Sequence, residues 1–106
     1  MRVLFDQGTP EPLREFLASH EVATAFELGW SALKNGDLLT QAEAAAFDVL
    51  VTTDQSLKHQ QNLKGRAIAV IVITTTSWPR ILKVVSIVSD AVDSAVPGTY
   101  TEVSIS

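Results

Sequence analysis

Phe47-Asp48-Val49-Leu50-Val51-Thr52-Thr53-Asp54 is the stretch that decides the fold. Its apolar run between two acids has the pattern of a short strand buried on both faces. Asp54 stands at the C-terminal tip of that strand. Val3-Leu4-Phe5-Asp6 repeats the arrangement near the start of the chain. Parallel neighbours lie about 4.8 Å apart. If the two strands are such a pair, their terminal aspartates meet at one edge of a sheet.

The segments on either side supply the rest of an α/β pattern. Arg2–Phe5 is the first strand, and Gln7-Gly8 turns the chain. Thr9-Pro10-Glu11 is a helix start, with Thr9 as cap and Pro10 at the first helical position. Leu13, Phe16 and Leu17 follow at helical spacing and form its apolar face. A second strand is expected at Glu21–Ala25, and a single turn at Phe26–Leu28 stopped by Gly29. Asn35-Gly36 is a turn signal, and Asp37 can cap a helix whose apolar side is Leu38, Leu39, Ala42, Ala45 and Ala46. Strand Val49–Thr53 comes next, then a polar helix and loop over Gln55–Leu63. Ala67–Ile73 is the most apolar run and reads as a strand buried on both faces. Ile81, Val84, Val85, Val88 and Val92 predict one further helix. Thr101, Val103 and Ile105 alternate with polar residues and predict a last edge strand.

Alternating strands and helices predict an α/β fold: a three-layer α/β/α sandwich on a mainly parallel sheet of four to five strands. The expected order is 2-1-3-4, with the last strand antiparallel on one edge. The first and third strands are then neighbours where the connection direction reverses, which is where open α/β sheets place their sites.

Bulk properties narrow the function classes. With 106 residues the chain is expected to form a single domain, 1–106, with a core filled from its 46 % hydrophobic residues. Absence of cysteine removes disulfides and thiolate metal sites and is compatible with the cytoplasm. No apolar run approaches the roughly 20 residues that span a bilayer, so no membrane role is expected. Twelve acids against eight basic residues, net −4, disfavour gripping nucleic acid by an overall positive field.

The acids carry the chemistry. Two carboxylates at strand spacing repel, and a Mg²⁺ or Mn²⁺ between them removes the conflict. Asp37, at a helix start in the crossover to the third strand, is the third candidate, and Glu43 a more remote fourth. Asp54 and Asp37 also read as plain helix caps. Asp6 has no such task if Thr9 caps the following helix. Lys58 and Arg66 lie in the amide-rich basic stretch after Asp54 and are candidate contacts to a phosphate backbone, although a solvated helix face explains them as well. Trp30 and Trp78 could stack on bases or simply pack.

The pieces Met1–Pro10, Glu27-Leu28-Gly29-Trp30, Asn35-Gly36-Asp37-Leu38-Leu39 with Ala42, and Asp48–Leu57 together resemble the PIN-like domains. The similarity is to short bacterial PIN-like proteins related to VapC toxin ribonucleases, and it covers roughly the first 75 residues. It implies that Asp6, Asp37 and Asp54 are catalytic and bind Mg²⁺ or Mn²⁺, which activates a water that hydrolyses a phosphodiester, usually in RNA. It also implies a toxin with an antitoxin protein as partner. Active members often carry a fourth acid near the end of the next strand, and here Ile73-Thr74-Thr75-Thr76 occupies that place.

Two other classes compete. One is a catalytically weak or inactive PIN-like module that binds RNA or a protein. The other is a receiver-type phosphoacceptor, which lacks its lysine because Thr74–Ser77 contain none. The apolar valine-rich helix and the edge strand suggest a homodimer.

Overall fold

The computed structural model of the chain describes residues 1–57, 63 and 65–105. In chain order the elements are β1 (Arg2–Phe5), a 3-10 helix (Glu11–Leu17), β2 (Glu21–Thr24), α1 (Asn35–Ala44), β3 (Val49–Thr52), β4 (Ala69–Ile73), α2 (Trp78–Lys83), α3 (Val85–Asp93) and β5 (Tyr100–Val103). The sheet has five strands in the order β2-β1-β3-β4-β5, and every pairing is parallel.

Two-residue alternation sorts the strands onto two cores. Val3, Phe5, Val49, Val51, Ile71 and Ile73 face one side, where they pack with Leu13, Leu17, Ile81, Val88 and Val92 from the 3-10 helix, α2 and α3. Leu4, Leu50, Val70 and Val72 face the other side, packed with Leu38, Leu39 and Ala42 of α1. All of β3 and β4 is buried, which is why neither strand alternates polar with apolar. The result is a three-layer α/β/α sandwich. Among the described residues no helix is long and apolar enough to cross a membrane.

The last strand corrects the expectation. β5 runs parallel to β4, not antiparallel. After β4 the chain crosses one face through α2 and α3 and returns to the end of the sheet where β4 begins. There Gly98 N–H donates to the Ile68 carbonyl (3.0 Å) and Val70 N–H to the Thr99 carbonyl (2.9 Å). A strand that enters at that end runs in the same direction as its neighbour.

Three helical expectations also change. The helix predicted around Ile81–Val92 is two pieces, broken at Val84, whose φ of −124° and ψ of 24° leave the helical region. Val84 and Val85 are consecutive β-branched residues, whose crowding weakens a helix there. The segment after Thr9 is 3-10 rather than α; Pro10 is its N-cap, and no side chain caps it. Phe16 is 43 % exposed rather than part of the core and packs on Trp78 with ring centroids 5.8 Å apart. α1 begins three residues earlier than expected, with Lys34 as N-cap and Asp37 inside the first turn.

Candidate functional site

Pleat alternation positions the site. Leu4 and Leu50 are register partners on the α1 face of the sheet. Two residues further, the same face receives Asp6 from β1 and Thr52 from β3. Asp6 N–H continues the ladder by donating to the Val51 carbonyl (3.1 Å). Asp6 is therefore opposite Thr52, not Asp54. Asp54 lies two residues on, a rise of roughly 6.6 Å in an extended chain. The two acids are diagonal neighbours with a threonine between them.

Thr52 joins them. It is 2 % exposed and the only polar residue of β3. Its hydroxyl donates to Asp6 Oδ2 and accepts the Asp54 N–H at 3.0 Å. On the other side of the carboxylate, Asp6 Oδ1 accepts Gly8 N–H (3.1 Å) and the Thr9 hydroxyl (2.8 Å). Thr9 Oγ1 lies equally close to the Val51 carbonyl, so its single proton has two acceptors. Asp6 therefore does have a local structural task, the turn after β1. Thr9 serves the carboxylate instead of capping a helix.

Burial pushes the Asp6 carboxyl above its ordinary value, and the donors from Thr52, Thr9 and Gly8 only partly oppose that rise. Asp54 is differently placed. Its Oδ1 accepts the N–H (3.0 Å) and hydroxyl (2.6 Å) of Ser56, which fixes the turn after β3. Its Oδ2 has no partner among the described residues. Burial first, then the negative charges of Glu102 and Asp54, raise the Tyr100 phenol.

Asp6 and Asp54 line one pocket of about 260 Å³ at the C-terminal ends of β1 and β3. Gln7, Thr52, Ser31 and Lys34 add polar groups to it, and Leu33, Leu38, Leu50 and Leu57 form its apolar floor. Gly8 keeps the turn against the sheet: a Cβ there would stand 2.5 Å from Thr53 Oγ1.

Of the other sequence candidates Trp30 lines this pocket, whereas Asp37, Glu43 and Arg66 do not. Asp37 is exposed and does not line the pocket, because Leu38 and Leu39 take the buried side of α1. Glu43 pairs with Arg66 and accepts the Ala67 N–H (3.0 Å). That places Arg66 just ahead of β4, at the opposite end of the sheet from the acids. Lys58 lies outside the described residues. Among the described residues no three of the side chains of His, Cys, Asp and Glu converge so as to hold a metal ion. A cation caged by Asp6, Asp37 and Asp54 together therefore does not fit. A Mg²⁺ or Mn²⁺ that keeps several of its waters and is held by one or two carboxylates does fit the Asp6–Asp54 wall.

Sequence reasoning missed Thr52, Ser31 and Lys34. Thr52 had a signal: a hydroxyl at an inward position of an otherwise apolar strand, two residues before an acid. Lys34 had none, because only the fold brings the start of α1 over the end of β3.

Fold and site together define a doubly wound parallel α/β protein with an acid-walled pocket where the strand order reverses. No family model, curated protein or solved structure matches the chain.

Proposed function

We propose that this protein is a metal-assisted ribonuclease of the PIN-like kind that its sequence resembles, working with two carboxylates rather than three. The observation that supports this is the placement of Asp6 and Asp54 on one wall of a water-accessible pocket at the β1–β3 switch point. Asp54 would hold a Mg²⁺ or Mn²⁺ through Oδ2, and Asp6 would hold or orient the waters around it. Thr52 and Thr9 keep the Asp6 carboxylate aimed into the pocket. A bound cation would supply a water acidic enough to attack phosphorus at neutral pH and would offset charge in the transition state. The attack breaks the P–O bond to one nucleoside and leaves the phosphate on the other.

The strand order alone does not support this chemistry, since many doubly wound folds share it. The position of Asp37 favours a second reading, a module that binds RNA or a protein with little turnover. Incubation of RNA with the protein and Mn²⁺ separates the two. The ribonuclease reading expects cleavage by the wild type and its loss in Asp54→Asn and in Asp6→Asn. It also expects Asp37→Asn to keep activity within a few-fold. Cleavage that survives the double Asp6→Asn, Asp54→Asn variant would refute it.

A further inference from the structure

Trp30, Ser31, Leu33 and Lys34 line the pocket together with the acids, and their segment is firmly held. Trp30 N–H donates to the Ala25 carbonyl (2.8 Å), and the Trp30 ring stands edge-on to Phe47 with centroids 6.1 Å apart. Leu33 N–H donates to the Trp30 carbonyl (2.9 Å). Lys34 closes the segment as the N-cap of α1, its carbonyl receiving Asp37 N–H at 3.0 Å. Its backbone is thus fixed while its exposed side chain lines the pocket.

Three arginines are already engaged. Arg2 pairs with Glu21 (3.7 Å), Arg14 with Glu27 (2.6 Å) and Arg66 with Glu43. Lys34 forms no ion pair among the described residues, although Asp6 and Asp54 line the same cavity. One lysine and two aspartates therefore line the same water-accessible cavity. Two carboxylates by themselves repel a phosphate. A cation held by the acids and the Lys34 ammonium would give it two positive partners. The volume of about 260 Å³ falls just below the roughly 300–1,000 Å³ of typical ligand pockets, room for one phosphate-bearing unit.

We propose that Lys34 is the positioning residue for the phosphate of the ligand, its ammonium taking a non-bridging oxygen in the pocket that the acids line. The inference rests on the reading of Asp6 and Asp54 as a cation site. Its test exploits a sign. Removing a positive charge from the wall weakens an anion and leaves a cation bound equally well or better. A residue that merely supports the wall would weaken both. The Lys34 side chain caps nothing, so its replacement leaves α1 standing.

The experiment measures Mn²⁺ alone by calorimetry, and a short fluorescent RNA by anisotropy with and without Mn²⁺, for wild type, Lys34→Ala and Lys34→Arg. Lys34→Ala is expected to weaken RNA about tenfold, the scale of one charge-assisted contact. The slope of log K against log salt should become shallower by about 0.7, as for one lost phosphate contact on a single strand. Mn²⁺ affinity should hold or rise, and Lys34→Arg should restore RNA binding. Equal RNA affinity in wild type and Lys34→Ala overturns the proposal. So does a parallel loss of RNA and Mn²⁺ binding. Wild-type protein that binds no Mn²⁺ but still needs Lys34 for RNA refutes the cation reading and supports the phosphate contact.

Discussion

Asp6 sets the chemistry at the scale of single residues, because its surroundings pull in two directions. Burial favours the acid and prevails, while donors from Thr52, Thr9 and Gly8 favour the carboxylate. The folded-state value is therefore raised above the ordinary 3.8. Below 3.8 the residue is protonated in both folded and unfolded chains, and its contribution to stability is fully present. As pH rises through the folded-state value that contribution is lost, since the folded chain must then ionise a buried group. In metal-free buffer Asp6→Asn should remove this loss. Urea midpoints measured from below pH 3.8 up to pH ~7 should shift progressively in favour of the variant. A constant difference across that range would show that burial of Asp6 is not under strain. Asp6 and Asp54 were legible in the sequence because each follows an apolar run. Lys34 was not, since a lone lysine before a helix is ordinarily solvated.

At the scale of elements, β3 carries both its core residues and its polar link. Thr52 is held between Asp6 and Asp54 by register: its place in the strand marks it as unusual, but only the pairing with β1 says what it binds. Thr52→Val keeps the shape and removes the hydroxyl. It leaves Asp6 Oδ2 without its donor and the Asp54 N–H without its acceptor. A loss of about 1–3 kcal/mol is expected, because a hydrogen bond to a charged group is broken inside the fold. Chemical denaturation would measure it, and an unchanged midpoint would mean that water replaces the hydroxyl. Asp37 shows the opposite failure of local reasoning. By local pattern Asn35-Gly36 is a turn and Asp37 the cap after it. The helix instead starts at Asn35, which rotates Asp37 to the exposed side and brings Lys34 to the pocket.

For the whole molecule, a site at a switch point links ligand binding to global stability. A cation that binds the folded chain alone raises stability by RT ln(1 + [L]/Kd). At ten times its Kd, Mn²⁺ should add about 1.4 kcal/mol, a rise of roughly 5–10 °C in Tm for a domain of this size. Differential scanning of wild type and Asp54→Asn should show the rise only in the former. The same rise in the double Asp6→Asn, Asp54→Asn variant would place the cation elsewhere. The parallel β5 belongs to this scale too. Its alternation was visible in Thr101, Val103 and Ile105, but its direction was set by where α2 and α3 return the chain.

Local composition was enough to define the strands, the burial of β3 and β4 and the two acid-tipped ends, because apolar runs and their punctuation are properties of neighbouring residues; the order 2-1-3-4 agrees with the expectation for an alternating α/β chain. Packing alone decided the direction of β5, the break at Val84, the rotation of Asp37 out of the pocket and the entry of Thr52 and Lys34 into it. These depend on register and helix phase, and a displacement of one residue there moves a side chain from one face of its element to another.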